Sequence, residues 1–398
     1  MSEETNKIVP KLRFPEFSDV EGWNTIHLGI AVKSESSTLA QNKLQFVETG
    51  YPVYGADGII GFADFFVQND DYIAIIKDGS GVGRLFLYPK KSSILGTLAY
   101  LKSQNNTEYL LTYLFYLLQT ITLSTYIKGS GIPHIYYSDY SKVLAAIPKP
   151  KEQTKIADCL SSLDNLITAQ KQKLEALKAH KKGLMQQLFP AEGETMPKLR
   201  FAEFKDSGGW EKKKLGDIGK FTGGGTPSRI NEDFWRGEIH WISSSDLEDD
   251  SIQAIRINRF ITESALQQSA TKLVPKNSIL IVSRVGVGKL AISRNAICTS
   301  QDFTNFTPAN DNLVFLAYYL KFNSKVLLSF SQGMAIMGFT KDHISNLELL
   351  LPTIEEQQKI ADCLSSLDEL IVAQKEKIEA LKAHKKGLMQ ALFPRIFQ

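Results

Sequence analysis

The sequence has few cysteines and no long apolar run. Its three cysteines, Cys159, Cys298 and Cys363, form no C-x-x-C pair, and two of them occupy the same position of a repeated segment. This usage argues against a disulfide framework or a zinc site and predicts free thiols in a reducing cytoplasm. No apolar stretch approaches the length that spans a bilayer, and the segment MSEETNKIVP lacks a signal-peptide pattern. We therefore expect a cytoplasmic protein of two or more domains without membrane contact.

Motifs of common enzyme sites are missing as well. The six histidines include no H-E-x-x-H pair, no serine stands in a G-x-S-x-G turn, and no asparagine-proline-proline-aromatic sequence could hold a flipped adenine. The segment RVGVGKL resembles a phosphate-binding loop, but Ser283 replaces its first glycine and Leu290 follows the lysine. The glycines after Phe221 resemble a methyl-donor loop, which we interpret as a turn. These absences predict no catalysis, no metal and no cofactor.

Strong charge of either sign is also lacking. The chain has 46 basic and 43 acidic residues, for a net charge of +3. Because the distribution of charge matters more for nucleic-acid binding than the sum, the net value excludes little. Basic residues are spread over residues 229–294, whereas the acidic residues of that segment cluster between Asp246 and Asp250. This pattern permits a basic face but does not establish one.

One stretch is present twice. Residues 155–190 and 359–394 differ at only five positions. Their apolar residues recur at alternating steps of three and four, which predicts long helices of roughly 54 Å that pair with each other as an antiparallel coiled coil. The predicted seam residues are Leu160, Leu163, Ile167, Gln170, Leu174 and Leu177 in the first helix and Leu364, Leu367, Ile371, Gln374, Ile378 and Leu381 in the second.

Two features of these helices leave alternatives open. Gln170 and Gln374 lie near the middle, where an antiparallel pair would cross, so we expect them to face each other and fix the register. The alternative is two solvated side chains, and replacing both with leucine while measuring helix pairing would decide. Leu166 and Leu370 are either contacts for partner proteins or part of the seam.

The repeat extends beyond the helices. PKLRFPEF at 10–17 is matched by PKLRFAEF at 197–204, and GVGRL at 81–85 by GVGKL at 286–290. Short β-type runs with glycine turns and one apolar helical run occur in each globular part. We predict an α+β protein with a pseudo-two-fold repeat of two mixed α/β domains and two helices. The predicted bounds are 1–150 for the first domain, 151–190 for its helix, 191–351 for the second domain with a lead-in at 191–216, and 352–398 for the second helix.

This alternation resembles the specificity subunit of a type I restriction-modification system, and the resemblance covers almost the whole chain. Its most specific elements are Pro-x-x-x-Glu-Gln-x-x-Ile before each helix, at 148–156 and 352–360, and Lys-Lys-Gly-Leu-Met-Gln near each helix end. The resemblance implies two target-recognition domains, each contacting one half of a split, asymmetric sequence in double-stranded DNA. It also implies that the helices set the gap and help to dock modification (adenine methyltransferase) subunits, expected to be two, to which restriction (translocase and nuclease) subunits are added.

Residues that contact base edges are expected on loops and to be basic, amide or hydroxyl side chains. The candidates for base contact are Lys77, Ser80, Lys128, Ser130 and His134 in the first domain and Ser228, Arg229, Ser244, Ser245, Arg284 and Gln301 in the second, and Arg84 and Lys289 are added as candidates for DNA contact at the backbone. Arg84 and Lys289 occupy equivalent turns, where phosphate contact and plain solvation are both open. His134 could equally pack inside the domain, and Trp235 and Trp241 are more typical of a core than of a DNA contact.

Two other functions stay open at this point. A free-standing methyltransferase or nuclease is disfavoured by the missing catalytic motifs. A coiled-coil scaffold whose globular domains bind protein would lack salt-sensitive affinity for DNA.

Overall fold

The structure, a computed structural model, describes residues 7–329 and 338–394. Its contacts divide the chain into two compact units, residues 1–171 with 376–398 and residues 172–375. Each unit contains one globular domain, the first part of the long helix that follows this domain, and the last part of the other long helix. Within the described residues, no helix is both long and apolar enough to cross a membrane.

The first domain combines short strands with one central helix. Its strands are β1 (Asn24–His27), β2 (Val32–Ser36), β3 (Tyr51–Gly55), β4 (Gly58–Ala63), β5 (Tyr72–Ile76), β6 (Leu85–Tyr88), β7 (Ser93–Ile94), β8 (Leu98–Ser103), β9 (Ile127–Lys128), β10 (His134–Ile135) and β11 (Leu144–Ile147). Its helices are α1 (Leu28–Ala31), α2 (Leu111–Thr120) and α3 (Tyr137–Tyr140). One sheet has the order β2-β8-β5-β6, another has the order β4-β3-β7, and β1 pairs with β11. The apolar run at 109–118 thus lies mostly in α2, which begins at Leu111 and packs on the first sheet.

The first long helix, α4, spans Pro150–Leu188, close to the predicted 151–190. The strand before it ends at Ile147, so Pro148 separates strand from helix. The second long helix, α9, spans Ile354–Leu392 within the predicted 352–398. The predicted domain bounds include chain ends that lie outside the described residues, and as a division into modules they stay a prediction.

The second domain repeats the plan with different detail. Its strands are β12 (Glu211–Lys214), β13 (Gly219–Gly223), β14 (Ile239–Ile242), β15 (Arg259–Ile261), β16 (Leu273–Val274), β17 (Ser278–Ile281), β18 (Leu290–Ser293), β19 (Ile297–Thr299), β20 (Thr304–Pro308) and β21 (Glu348–Leu351). Its helices are α5 (Glu263–Gln268), α6 (Leu313–Phe322), α7 (Ser324–Ser329) and α8 (Lys341–Ser345). The sheet β13-β20-β17-β18 has the same arrangement as β2-β8-β5-β6, and β12 pairs with β21 as β1 pairs with β11. The α+β prediction with an internal repeat is confirmed.

The long helices run antiparallel where they meet inside each unit. In the first unit, Leu392 and Phe393 at the end of α9 share one core with Ile156 and Leu160 near the start of α4. In the second unit, the end of α4 at Leu188 likewise packs with the start of α9. Each domain core therefore includes side chains of both helices, which joins the domain to the helix pair.

The predicted seam residues are all at least partly buried. Six of them are half-buried: Leu163, Gln170, Leu174, Leu177, Leu367 and Leu381. The other six are buried: Leu160, Ile167, Leu364, Ile371, Gln374 and Ile378. Leu160 and Leu364 also belong to the cores of the globular domains, so helix pairing is not their only packing role. The proposed pairing of Gln170 with Gln374 stays a prediction.

Candidate DNA interface

A buried ion pair links the two recurring motifs of each module. Arg13 of the first PKLRF segment donates from Nε and Nη2 to Glu152, with both distances 2.8 Å. Arg200 of the second PKLRF segment donates in the same way to Glu356, with both distances 2.7 Å. The side chains of each pair are almost completely buried. The hydrogen bond to the glutamate raises the pKa of each guanidinium, so the arginine stays charged.

The glutamine that follows each glutamate caps the central helix of its domain. Gln153 accepts a hydrogen bond from the backbone of Leu110 at 2.8 Å, just before α2. Gln357 accepts one from the backbone of Asn312 at 2.9 Å, just before α6. Because the first N–H groups of a helix have no partner inside the helix, a buried amide oxygen there satisfies a donor. The Glu-Gln dipeptide therefore orients each globular domain on its long helix.

A third repeated contact joins three helices in each unit. Asp164 of α4 accepts from the Tyr116 hydroxyl at 2.8 Å and from Lys385 Nζ at 2.6 Å, which brings α2 and α9 together. In the second unit Asp368 of α9 accepts from Tyr318 at 2.6 Å and from Lys181. Burial, with the hydrogen bond to aspartate, raises the pKa of both tyrosines. Lys385 and Lys181 thus each have a specific carboxylate partner on the other long helix.

These contacts hold the domains whose loops carry the predicted DNA-contacting residues. In the first domain all six candidates lie on two neighbouring segments, 77–84 and 127–135. The Gly79 backbone donates to the Pro133 carbonyl at 2.9 Å, and the Ile135 backbone donates to the Lys77 carbonyl at 2.9 Å. His134 Nδ1 lies 2.7 Å from Asp78 Oδ1, which joins the segments a third time. His134 thus has a structural contact, and its base contact stays a prediction.

In the second domain the segment 299–302 connects the loops that carry the candidates. Gly225 donates to the Thr299 carbonyl at 2.8 Å, and Ser300 donates to the Ile242 carbonyl at 2.9 Å. The backbone of Arg284 donates to the Asp302 carbonyl at 3.2 Å, and the Thr226 hydroxyl contacts Gln301. The loops with Ser228, Arg229, Ser244, Ser245, Arg284 and Gln301 therefore form one connected surface.

Lys289 is placed differently from the other candidates of its domain. It lies at the foot of the β17–β18 hairpin, opposite Val282, and its ammonium is 3.3 Å from Asp249. The segment RVGVGKL therefore forms the turn of a β-hairpin. Arg84 at the equivalent position of the first domain is 3.3 Å from the exposed Asp57. The Arg84–Asp57 pair is exposed and contributes at most about 1 kcal/mol, whereas the Lys289 side chain is half-buried and only its partner Asp249 is exposed.

Sequence analysis missed the residue that organises the Ser244–Ser245 turn. Arg259 lies 4.7 Å from the ring centroid of the buried Trp241, donates to Ser243 Oγ at 2.8 Å and contacts Asp246. Trp241 is therefore part of the core, as expected, and half-buried Trp235 packs against it. The sequence contains no motif that predicts the contact of Arg259 with Asp246. The two residues come together through the pairing of β14 with β15, in which Arg259 lies opposite Trp241.

The geometry defines a duplicated binding protein, with two unlike polar loop surfaces on nearly identical helical supports. Within the described residues, no group of three or more His, Cys, Asp or Glu side chains could hold a metal ion. The profile of the family described as "Type I restriction modification DNA specificity domain" matches residues 21–179 and 207–383. The chain belongs to this family, and is a type I restriction-modification specificity subunit with two target-recognition domains.

Individual relatives agree with this assignment. The MjaIX specificity subunit of Methanocaldococcus jannaschii is 37% identical over 177 residues, which cover 44% of this chain and 41% of that one. The MjaVIII specificity subunit of the same organism is 26% identical over 98% of this chain and 95% of its own length. The crystal structure of a type I S subunit from M. genitalium has the same fold, with a TM-score of 0.62 and 17% sequence identity, over 98% of this chain and all of that one.

Proposed function

We propose that each globular domain contacts one half of a bipartite, asymmetric DNA sequence, and that the paired helices set the number of base pairs between the halves. The observation that supports this proposal is the contrast within the repeat. The Arg–Glu pair, the glutamine cap and the Asp–Tyr–Lys contact are the same in both modules, whereas the loop surfaces differ in residues and connections. Equal supports with unlike surfaces suit a protein that presents two different recognition sites.

The chain performs no catalysis in this proposal, and chemistry belongs to its partners. Two modification subunits with adenine methyltransferase activity dock on equivalent surfaces of the helices, and restriction subunits join the assembled complex. A continuous helix of 39 residues has a length of about 58 Å, which exceeds one turn of B-DNA at about 34 Å. That length is compatible with two half-sites separated by base pairs that neither domain contacts.

The test is a map of modified adenines. The chain is co-expressed with its modification subunits in a host free of DNA methylation, and adenine modification is located across the genome. We expect a two-part asymmetric motif with one fixed gap. A stable complex that modifies no adenine would favour a protein-binding scaffold instead, and methyl transfer by the purified chain alone would favour an enzyme.

Leu166 and Leu370 support a docking surface on the helices. They are 40% and 54% exposed, which supports a contact with a partner over a place in the intramolecular seam. They occupy the same position of the repeat, as docking of two identical subunits requires.

Replacing Leu166 and Leu370 with glutamine is expected to weaken binding of the modification subunit at least tenfold, because each leucine contributes about 1.5–3 kcal/mol when fully buried. Thermal stability of the isolated chain should change little, since both positions are exposed. Binding is measured by titration of purified subunits. Glu175→Gln with Glu379→Gln, at exposed positions of the same helices, is the matched control. Equal affinity of both double variants would exclude the leucines from the interface.

Lys289→Ala is expected to weaken DNA binding by a similar factor for target and non-target sequences. If Lys289 exchanges Asp249 for a phosphate, its loss should lower the slope of log affinity against log salt by about one. The complex with modification subunits is titrated with DNA at several salt concentrations. Lys205→Ala, at an exposed position of the lead-in segment, should leave the slope unchanged. A wild-type slope for Lys289→Ala would show that this lysine contacts no phosphate.

A further inference from the structure

Three apolar side chains are exposed at the tips of the loops that carry the predicted DNA contacts. Ile230 is 95% exposed, Val285 is 70% exposed and Ile132 is 63% exposed, the highest values for large apolar residues in the described part of the chain. Ile132 stands between Ser130 and His134, and the other two directly follow Arg229 and Arg284. Single exposed apolar residues are common, so exposure alone carries no conclusion. Their shared position beside hydrogen-bonding and basic side chains is what requires an explanation.

Hydrogen bonds hold each of these residues in an ordered loop. In the second domain, Ile230 lies between the Ser228 carbonyl, which accepts from Trp235 at 3.1 Å, and the Asn231 side chain, which accepts from the Asp233 backbone at 3.2 Å. Ile132 precedes Pro133, whose carbonyl accepts from Gly79 at 2.9 Å. The loops therefore present their apolar tips in fixed positions.

The backbone at Val285 is strained. Its φ angle is +26°, a region that a β-branched residue adopts at a cost of about 1–3 kcal/mol. The neighbouring Gly286, with φ at +100°, adopts such angles freely. Arg284 fixes the turn through its backbone bond to the Asp302 carbonyl and its bridge to Gly338. The exposed Val285 side chain gains no burial that would offset the free energy of this strain. A role in binding would explain why the turn carries a valine.

The chemistry of DNA offers one apolar group to a side chain in the major groove, the 5-methyl group of thymine. We propose that Ile132 in the first domain, and Ile230 and Val285 in the second, contact thymine methyl groups of the target and so contribute to sequence specificity. The neighbouring arginines and hydroxyls attract the duplex and bond its polar groups, while the apolar tips select A·T pairs by methyl contact. This inference rests on the proposed function and assigns specificity to residues outside the predicted set.

The repeat gives the inference a second line of support. Val285 occupies the position that Ser80 holds in the first domain, because GVGKL at 286–290 matches GVGRL at 81–85. A serine hydroxyl can bond several base edges, whereas a valine side chain can only form apolar contacts. The same turn is thereby suited to different bases in the two domains, in agreement with an asymmetric target.

The test uses deoxyuridine, which differs from thymidine only in lacking the methyl group. After adenine mapping has identified the target, which contains thymine opposite each modified adenine, every thymine is replaced singly with deoxyuridine. Affinity of the complex with modification subunits is measured at fixed salt. We expect one or more replacements in each half-site to weaken wild-type binding about fourfold. Ile132→Ala should abolish this sensitivity in the first half-site, and Ile230→Ala or Val285→Ala should abolish it at a position in the second.

Exposed apolar residues elsewhere on the same domains provide matched controls. Ile59→Ala and Leu273→Ala, on β4 and β16, should retain the full loss on removal of each methyl group. The proposal is overturned if no deoxyuridine replacement lowers the affinity of the wild-type complex. It is also overturned if the three loop variants lose as much affinity as the wild type when a methyl group is removed. A loop variant that weakens thymine and uracil targets equally would indicate insertion between base pairs and would also overturn it. Sequence-specific adenine modification would persist in each of these cases, so failure here is distinguishable from failure of the proposed function.

Discussion

Replacing Glu356 with alanine is expected to lower the free energy of unfolding of the second unit by about 3–5 kcal/mol. The change leaves the Arg200 guanidinium buried, since only 7% of its side chain is exposed, without the carboxylate that accepts two of its hydrogen bonds. Glu356 is what raises the pKa of Arg200, so the variant loses this increase and keeps only the lowering effect of burial. The guanidinium nevertheless stays protonated, because the ordinary pKa of arginine lies far above any practical pH. The cost should therefore persist at every practical pH.

Urea unfolding followed by tryptophan fluorescence measures this loss, because three of the four tryptophans, Trp210, Trp235 and Trp241, lie in the second unit. Glu203→Ala is a matched control. Glu203 also forms an ion pair with a residue of α9, Lys359, at 3.1 Å, but about half of each side chain is exposed. That change should cost no more than about 1 kcal/mol. Replacing Arg200 with methionine and Glu356 with leucine together should restore much of the stability, since no buried charge remains. Similar losses for Glu203→Ala and Glu356→Ala would contradict the assigned role.

The long helices could be predicted from sequence because their signal is local and repeated. Apolar spacing identified α4 and α9, and the apolar run at 313–320 identified α6. The buried Arg–Glu pair connects residues 139 positions apart in the first module and 156 in the second. Apolar periodicity within a short segment cannot predict such a long-range contact. The recurrence of both PKLRF and Pro-x-x-x-Glu-Gln in each module nevertheless identified the two segments that take part.

The candidate interface could be predicted only in part. Chemistry and loop position selected residues on segments that the structure brings together, such as 77–84 with 127–135 in the first domain and the loop of Ser228 with the loop of Gln301 in the second. They could not place Lys289 beside Asp249, because that contact depends on how the hairpin meets a separate loop. Ile132, Ile230 and Val285 were not among the candidates, because only side chains that can form hydrogen bonds with DNA were considered. Which bases are contacted stays a prediction, since recognition also depends on DNA deformability.

Replacing the second domain with a copy of the first is expected to turn the asymmetric target into an inverted repeat. The structure suggests the junctions. The backbone of Leu215 donates to the Leu347 carbonyl at 2.9 Å, as Leu28 donates to the Val143 carbonyl at 2.8 Å. Residues 216–346 can therefore be exchanged for 29–142 while the strand pair β12–β21 stays in place.

The incoming domain should fit because the groups that hold it are repeated. In its native place it contacts Gln153 and Asp164 of α4 and Lys385 of α9. In the new place the corresponding groups are Gln357 and Asp368 of α9 and Lys181 of α4. If each domain contacts one half-site as proposed, two identical recognition surfaces should contact the same half-sequence on opposite strands. Modification of the original target should fall at least about a thousandfold, the lower range of specific over non-specific binding.

Mapping modified adenines in a methylation-free host checks the result. The control copies the five residues that distinguish 359–394 into 155–190, which alters the helix but neither loop surface, and it should leave the motif unchanged. If the exchanged chain forms an active complex that still modifies the original second half-site, specificity does not reside in residues 216–346. If the motif becomes symmetric with the original gap, the exchanged domain determines the bases and the long helices determine the spacing, because the helices were left unchanged.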